Sequence, residues 1–417
     1  MSKLEITGGK RIRGIIDMHG AKNAVLPILA ATILTKGVSV IHNCPKLKDV
    51  NVTVDILRFL GASVRREEHT LIIDSSGDLK SDIPENLMHE LRSSIVFMGA
   101  ILARCKKARI SSPGGCELGP RPIDLHISSL RQLGVSVLET EDYLECDSKN
   151  SASGEIVLSF PSVGATENIM LFSCLMSGVT IIRNAAKEPE IVDLANFLNK
   201  MGARICGAGT DEIYIEGVET LNGTEYSIMP DRIATVTYLC CAAVTGGEIE
   251  IRRVNPNDLE ACLECFIRCG CRIGIGKDRI FLRAPQRLKA IDFIETKPYP
   301  SFPTDAQSLF LAMLATADGK SIIRENIFKN RFNVAEALKE MGADITVSQQ
   351  TALIRGKKRL KGANVSAPDL RGGAGLCIAA LAANGVTQID KVCYIDRGYE
   401  EIETYLQRLG AKVTRLD

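Results

Sequence analysis

The 417 residues are too many for one ordinary hydrophobic core, so the length predicts two domains of about 200 residues each. Hydrophobic residues make up 45% and charged residues 24%, which is typical of a soluble globular protein. The formal net charge is +1 and no long block of like charges is present, so these bulk numbers do not announce a polyanion-binding surface. With no tryptophan and 5% aromatic residues, few side chains could stack on nucleic-acid bases. We therefore expect no nucleic-acid partner.

The cellular compartment follows from what the chain lacks. No apolar run reaches membrane-spanning length, and the N-terminus has no apolar signal core. Fourteen cysteines without a secretion signal indicate reduced thiols rather than a disulfide framework. We expect a cytoplasmic protein that does not bind membranes.

One structural unit is repeated six times along the chain. In each copy a first helix rich in small residues leads into a strand, and a second helix then ends at a marker glycine before another strand. The marker glycines are spaced 68 to 73 residues apart and are Gly61, Gly134, Gly202, Gly270, Gly342 and Gly410. The first helices, each with the turn that follows it, are predicted at residues 24–37, 91–107, 166–178, 232–247, 306–319 and 372–385. This alternation predicts α/β units whose helices pack against sheet.

The sixth copy is truncated, because the chain ends seven residues after Gly410. The sixth copy therefore lacks its last strand. Residues 3–8 resemble residues 213–217, which form that strand in the third copy. We therefore predict that the N-terminal strand completes the sixth unit. This organisation gives one domain of residues 21–229 and another of residues 1–20 with 230–417, so that the chain crosses between domains twice.

A loop at residues 112–126 carries one thiol, Cys116, among three glycines and three prolines. Pro-Gly and Gly-Gly pairs mark turns, so this thiol is predicted to lie on an exposed loop just before a helix. Such a thiol is a candidate for chemistry. When this loop is considered by itself, an ordinary turn that happens to contain a cysteine is an equally good interpretation.

Basic side chains recur at the predicted starts of helices. They are Lys22, with Asn23 beside it, and Arg92, Arg121, Arg331, Arg371 and Arg397. A cation is mildly unfavourable there, because the helix dipole already makes the N-terminus positive. The arrangement is explained if an anion binds among these groups, although any one of them could be an ordinary solvated charge. Since equivalent ends of repeated units should face the same way, we expect the two domains to line a cationic cleft.

Three acids, Asp231, Asp305 and Asp369, precede first helices in equivalent places. Asp is a favoured N-cap residue, so capping is the default interpretation of all three, and the pattern does not say which of them does chemistry.

Four cysteines between residues 262 and 271 have spacings that suggest a metal site. They are Cys262, Cys265, Cys269 and Cys271. When Gly270 is aligned on Gly202, these cysteines fall on apolar positions of the third unit. We therefore predict that they are core residues and not metal ligands.

Several short segments together resemble one enzyme family. They are residues 20–24, 113–116, 119–126, 161–168, 302–305, 330–332, 368–371 and 395–400. The family is UDP-N-acetylglucosamine 1-carboxyvinyltransferase, also called UDP-N-acetylglucosamine enolpyruvyl transferase, and the resemblance covers nearly the whole chain. It implies the enolpyruvyl transferase fold, a two-domain inside-out α/β barrel of six repeated α/β units with three in each domain. This fold agrees with the repeat.

The resemblance also implies a reaction. The enolpyruvyl group of phosphoenolpyruvate is transferred to the 3′-hydroxyl of UDP-N-acetylglucosamine with release of phosphate, which is the first committed step of peptidoglycan synthesis. Cys116 would be the general acid that protonates the methylene carbon, and Asp305 would take the proton of the sugar hydroxyl. Lys22, Arg121 and Arg397, with Asn23, would hold the phosphate and carboxylate of phosphoenolpyruvate. No metal or organic cofactor is required.

The nucleotide sugar has its own set of contacts by the same resemblance. They are Arg92, Arg121, Pro122, Ile123, Asp124, Leu125, Ser162, Val163, Gly164, Asp305 and Ile327. Arg331, Asp369 and Arg371 complete the predicted substrate-binding residues.

The chain departs from the family pattern at Glu117, where a small residue usually follows the loop cysteine. A carboxylate beside a thiol favours the protonated thiol, which suits a general acid. It should slow alkylation of the thiolate by fosfomycin, the covalent inhibitor that the resemblance implies for Cys116.

Two other functions stay open at this point. The shikimate-pathway enolpyruvyl transferase shares the fold and phosphoenolpyruvate, but it lacks the cysteine loop. A non-catalytic paralogue that binds UDP-sugars is the other alternative, and the presence of Lys22, Cys116, Asp305 and Arg397 argues against it.

Overall fold

The computed structural model describes residues 2–90, 92–111, 123–141 and 143–416. The strands in chain order are β1 (Lys3–Thr7), β2 (Arg13–Asp17), β3 (Val38–His42), β4 (Ser63–Glu67), β5 (Thr70–Asp74), β6 (Asp82–Ile83), β7 (Lys107–Ser111), β8 (Ser136–Glu139), β9 (Tyr143–Asp147), β10 (Glu155–Val157), β11 (Val179–Arg183), β12 (Arg204–Cys206), β13 (Glu212–Glu216), β14 (Glu225–Ser227), β15 (Glu248–Arg252), β16 (Arg272–Ile275), β17 (Arg279–Arg283), β18 (Phe293–Glu295), β19 (Lys320–Arg324), β20 (Asp344–Ser348), β21 (Thr351–Arg355), β22 (Leu360–Lys361), β23 (Asn364–Ser366), β24 (Ala383–Asn384), β25 (Val386–Asp390) and β26 (Lys412–Leu416).

The α-helices are α1 (Lys22–Ala31), α2 (Lys48–Leu60), α3 (Glu85–Glu90), α4 (Phe97–Cys105), α5 (Asp124–Gln132), α6 (Val163–Ser173), α7 (Pro189–Lys200), α8 (Arg232–Val244), α9 (Glu260–Arg268), α10 (Thr304–Leu314), α11 (Val334–Glu340), α12 (Leu370–Ala382) and α13 (Ile402–Arg408). Short 3-10 helices lie at Thr32–Leu34, Arg92–Val96, Pro256–Leu259 and Val392–Arg397. In the part of the chain that the structure describes, no helix combines the length and apolar character needed to cross a membrane.

Six four-stranded sheets share one topology. In each sheet an edge strand runs parallel to its neighbour, and the next two strands are each antiparallel to the strand before them. The strand orders are β14-β3-β5-β4, β6-β7-β9-β8, β10-β11-β13-β12, β2-β15-β17-β16, β18-β19-β21-β20 and β23-β25-β1-β26. The predicted sixfold α/β repeat is therefore confirmed.

The sequence position of each parallel edge strand shows how the chain is divided into two units. In four sheets this strand comes just before the first helix of the same unit. In the other two the strands are exchanged: β2 precedes α1 but pairs with β15, and β14 precedes α8 but pairs with β3. The chain forms two compact units whose boundaries lie between residues 19 and 20 and between residues 229 and 230.

The N-terminal strand completes the sixth sheet. β1 lies between β25 and β26 and is antiparallel to both, with Ile6 opposite Thr387 on one side and Val413 on the other. Leu4 and Ile6 are fully buried. The prediction that this strand closes the sixth unit is confirmed.

The first helix of each unit is buried on nearly all sides. In the unit formed by residues 2–19 and 230–416, helices α8, α10 and α12 pack against one another. A helix that is apolar all round must be enclosed, and the amphipathic strands around it present one buried face each. Helices at the centre with sheets outside are the inside-out arrangement that was predicted.

At the helix ends, the prediction for the marker glycines is confirmed and the prediction for Arg92 is wrong. The six marker glycines all have positive φ, from 79° at Gly134 to 113° at Gly61, as expected for residues that end helices. Arg92 was predicted to open the first helix of the second unit. It instead begins the 3-10 helix Arg92–Val96, and α4 starts only at Phe97.

The four clustered cysteines are core residues, as predicted. Cys262, Cys265, Cys269 and Cys271 are buried, and all thirteen cysteines in the described ranges are free. Burial raises the pKa of the Cys265 thiol to about 11 and that of Cys271 to about 12. Buried, protonated thiols pack as small apolar side chains.

The closure of the sixth sheet gives a stability prediction. Ile6→Ala should lower the free energy of unfolding by about 2 to 5 kcal/mol, because it leaves a cavity around a central strand. Ile15→Ala is the matched control, since Ile15 on edge strand β2 is 52% exposed and its loss should cost about 0.5 kcal/mol or less. Urea unfolding curves of both variants make the comparison. Equal losses would contradict the central position of β1.

Candidate active site

Asp305 is the centre of an ion triad in the unit formed by residues 2–19 and 230–416. Its Oδ1 lies 2.7 Å from Nη2 of Arg331, and its Oδ2 lies 3.3 Å from Nη2 of Arg371. The Asp305 side chain is 27% exposed, whereas those of Arg331 and Arg371 are 2% and 3% exposed. The carboxylate is therefore accessible, with two buried guanidinium groups behind it.

The capping prediction is correct for two of the three acids and wrong for Asp305. Asp231 and Asp369 are N-cap residues of α8 and α12, and each Oδ1 accepts hydrogen bonds from two backbone N–H groups at 2.8 to 2.9 Å. The N-cap residue of α10 is Pro303, so Asp305 lies inside the first turn. Two guanidinium groups attract its carboxylate more strongly than neutral amides do.

A buried acid that the sequence-based predictions did not include supports this region. Glu325 is fully buried, and its carboxylate accepts hydrogen bonds from Oγ1 of Thr304 (3.0 Å), N of Ile327 (2.7 Å) and N of Phe328 (3.0 Å). The carbonyl oxygen of Thr304 accepts a bond from Nε of Arg331 at 3.2 Å. The turn that carries Ile327 and the helix start that carries Asp305 are thus held on one scaffold.

The repeat contains a signal for Glu325. In the four sister units that the structure describes at this point, the residues after β3, β11, β15 and β25 are Asn43, Asn184, Arg253 and Lys391, and each of these has a φ of 56° or 57°. Glu325 stands in the same place without a positive φ. A unit-by-unit comparison of this position therefore singles out the acid.

Arg397 ends the 3-10 helix Val392–Arg397, which is anchored on two sides. Both carboxylate oxygens of Asp396 accept bonds from the Arg415 guanidinium, at 2.7 and 3.0 Å. On the other side, a Cβ atom at Gly373 of α12 would lie 2.6 Å from Cγ1 of Ile395. The backbone before Arg397 is fixed by an ion pair and by a close contact that only glycine permits.

In the unit formed by the described residues between 20 and 229, Lys22 is the first residue of α1 and Asn23 the second. The Nζ atom of Lys22 lies 2.8 Å from Oδ2 of Asp49 in the first turn of α2, and the Asp49 side chain is 1% exposed. Asp49 thus balances a cation at a helix N-terminus. No distinctive sequence signal points to Asp49, since an acid in the first turn of a helix is favourable in general.

His126 connects the two segments predicted to bind the nucleotide sugar. The imidazole lies against Gly164, where a Cβ atom would be 2.9 Å from Cε1. Ile123, Asp124 and Leu125 lie at the start of α5 just before His126, and Ser162, Val163 and Gly164 lie at the start of α6. Ser162 is the N-cap residue of α6, and its Oγ accepts a bond from N of Ala165 at 3.4 Å.

The protonation of His126 follows from Asn168. Oδ1 of Asn168 accepts a bond from N of Gly99 at 2.6 Å, and its Nδ2 donates to the carbonyl oxygen of Ile95 at 3.1 Å. These partners fix the amide orientation, so the 2.7 Å contact to Nδ1 of His126 is a bond that Nδ2 donates. Nδ1 is then the acceptor of a neutral imidazole that carries its proton on Nε2.

Some predicted site residues cannot be placed. Cys116, Arg121 and Pro122 lie outside the described residues, as does the side chain of Arg92. Among the predicted residues, the structure brings Asp305 together with Arg331 and Arg371 in one unit. In the other unit it brings residues 123–125 close to residues 162–164.

Glu167, next to Asn168, is a buried acid from which we expect a pH-dependent contribution to stability. Its burial, followed by the charges of Glu190 and Glu188, raises the pKa of its carboxyl well above the usual value. The raised pKa favours the protonated carboxyl in the folded protein, whereas in the unfolded chain the carboxyl ionises above about pH 4.3. A raised folded pKa gives stability that is complete at low pH and is lost as the pH rises.

We expect Glu167→Gln to match the wild type in free energy of unfolding near pH 4 and to exceed it increasingly towards pH 8. The slope should approach about 1.4 kcal/mol per pH unit between the two pKa values. Urea unfolding at several pH values measures it, with the exposed Glu219→Gln as the control. A difference that does not grow with pH would show that Glu167 is ionised in the folded protein.

Comparisons with known proteins agree with this architecture. Residues 6–406 match the family model of EPSP synthase (3-phosphoshikimate 1-carboxyvinyltransferase). UDP-N-acetylglucosamine 1-carboxyvinyltransferase 2 of Caldanaerobacter subterraneus subsp. tengcongensis is 51% identical over 416 residues, covering 100% of both chains. UDP-N-acetylglucosamine 1-carboxyvinyltransferase 1 of Symbiobacterium thermophilum is 48% identical over 417 residues, covering 99% of this chain and 94% of the relative.

Solved structures show the same fold. The enolpyruvyl transferase NikO from Streptomyces tendae superposes with a TM-score of 0.90 at 24% identity, covering 99% of this chain and 98% of that one. EPSP synthase from Acinetobacter baumannii gives a TM-score of 0.74 at 18% identity, with complete coverage of both chains. The chain thus has the enolpyruvyl transferase fold, and it belongs to the EPSP synthase family and, within it, to the UDP-N-acetylglucosamine 1-carboxyvinyltransferases.

Proposed function

We propose that this protein transfers the enolpyruvyl group of phosphoenolpyruvate to the 3′-hydroxyl of UDP-N-acetylglucosamine and releases phosphate. The observation that carries the proposal is 51% identity along the full length of a relative with that activity in its name. The accessible Asp305 carboxylate, backed by two buried guanidinium groups, supports it from the geometry. The reaction would be the first committed step of peptidoglycan synthesis, in the cytoplasm, and would serve cell wall biogenesis, cell shape and division.

The chemistry is an addition followed by an elimination. The sugar hydroxyl attacks the carbon of phosphoenolpyruvate that carries the phosphate, while Cys116 delivers a proton to the methylene carbon. Asp305 takes the proton of the sugar hydroxyl, and expulsion of phosphate with loss of a methyl proton restores the double bond. General acid and base groups contribute to such steps by about 10²- to 10⁴-fold each.

The substrates are polyanions, which suits the basic residues of the site. Lys22, Arg121 and Arg397, with Asn23, are proposed to hold phosphoenolpyruvate, while Arg92 and residues 121–125, 162–164, 305 and 327 hold the nucleotide sugar. Arg331 and Arg371 are buried on Asp305, so we assign them to holding that carboxylate rather than to direct contact with substrate. Asp369 fixes the start of α12, from which Arg371 extends.

Phosphate release distinguishes the proposed function from its alternatives. We expect phosphate from phosphoenolpyruvate in the presence of UDP-N-acetylglucosamine and none in the presence of shikimate 3-phosphate. The reverse pattern would identify a shikimate-pathway enzyme. No phosphate with either acceptor, together with binding of UDP-N-acetylglucosamine, would identify a non-catalytic paralogue.

Fosfomycin tests the proposed role of the loop thiol. We expect fosfomycin to alkylate Cys116 in the wild type, and to do so faster in Glu117→Ala, because removal of the neighbouring carboxylate favours the thiolate. Mass spectrometry of the intact protein over time gives both rates, and Cys116→Ser is the control that should not react. Equal rates for wild type and Glu117→Ala would contradict the proposed effect of Glu117.

A further inference from the structure

A buried chain of hydrogen bonds extends from the ion triad into the core. Nη1 of Arg371 donates to the Tyr399 hydroxyl at 3.1 Å, and that hydroxyl lies 2.8 Å from Oγ1 of Thr237. Oγ1 of Thr237 is in turn 2.9 Å from the carbonyl oxygen of Ile233. Tyr399 is 1% exposed and Thr237 is fully buried. These hydrogen bonds link α8, α12 and the segment after Arg397.

The direction of each bond is fixed by what the groups can donate. The Ile233 carbonyl is an acceptor only, so the single hydroxyl proton of Thr237 points to it. Oγ1 of Thr237 must then accept from Tyr399, which leaves the Tyr399 oxygen to accept from Arg371. Burial raises the pKa of the Tyr399 phenol, despite the opposing effect of Arg371, so the phenol keeps the proton that it donates.

The position of the Arg371 guanidinium depends on these hydrogen bonds, because the group has few other partners. Nη2 donates to Asp305, whereas Nε is buried without a hydrogen-bond partner in the described part of the chain. At 3% side-chain exposure, bulk water does not replace a lost partner. Among the described residues, the Tyr399 phenol and the Asp305 carboxylate are therefore the hydrogen-bond partners that hold the Arg371 guanidinium in place.

We propose that Tyr399 and Thr237 are positioning residues for the transfer reaction, which hold Asp305 in place through Arg371. This inference rests on the proposed function, in which Asp305 takes the proton of the sugar hydroxyl. Neither residue contacts the carboxylate itself. They affect the catalytic step because they orient Arg371, which in turn orients the Asp305 carboxylate.

Tyr399→Phe tests the inference, since it removes one oxygen atom and keeps the ring. A hydrogen bond to a charged group supports a fall in kcat of about tenfold or more, with the KM for phosphoenolpyruvate unchanged within about twofold. The matched control is Tyr238→Phe. Tyr238 is a fully buried neighbour on α8 whose hydroxyl has no hydrogen-bond partner among the described residues. Its loss should leave kcat unchanged.

Substitutions at Thr237 give a second readout that does not depend on Tyr399→Phe folding. Thr237→Val leaves the phenol without its acceptor and should lower kcat, and Thr237→Ser keeps a hydroxyl and should restore it. Equal kcat for Tyr399→Phe and Tyr238→Phe, or for Thr237→Val and Thr237→Ser, would overturn the inference. A wild-type protein that releases no phosphate would instead overturn the proposed function, so the two failures are distinguishable.

Discussion

The structure around the candidate site depends on two buried guanidinium groups that share one carboxylate. Arg331 and Arg371 come from different units of the repeat, and Asp305 is the acid that both contact. Removing one partner of a buried ion pair costs about 3 to 5 kcal/mol, because a charge is left without compensation. The two guanidinium groups are held by further bonds, which Arg331 donates to the Thr304 carbonyl and Arg371 donates to the Tyr399 hydroxyl. The partly exposed carboxylate is left with a fixed orientation.

A repeated scaffold makes this specialisation visible. Six sheets share one strand order, so residues in equivalent places can be compared directly. Asp231 and Asp369 cap their helices, while Asp305 in the sister place is held by cations. Glu325 likewise stands where four sister units have a residue with a positive φ. Function has been added where one unit departs from the others, without a change in the sheets or central helices.

Much of the fold could be predicted from the sequence, because it depends on periodic patterns. The marker glycines, the small-residue helices and the likeness of residues 3–8 to 213–217 are local signals, and they gave the six units and the closing strand. The site could be predicted only in part. Which acid caps a helix depends on the residue at which the helix begins, and α10 begins before Asp305. Asp49, Tyr399 and Thr237 act through contacts between distant segments, which no local pattern announces.

In the proposed reaction Asp305, held by two buried cations, accepts a proton in the transfer step. Single-turnover phosphate release by Asp305→Asn, with both substrates saturating, tests this most directly. The control is Asp344→Asn, which changes an aspartate that is 34% exposed and lies 3.4 Å from Arg355 and 3.6 Å from Lys357. We predict a loss of about 10²-fold or more for Asp305→Asn and none for Asp344→Asn. An unchanged rate in Asp305→Asn would show that this carboxylate is not the base.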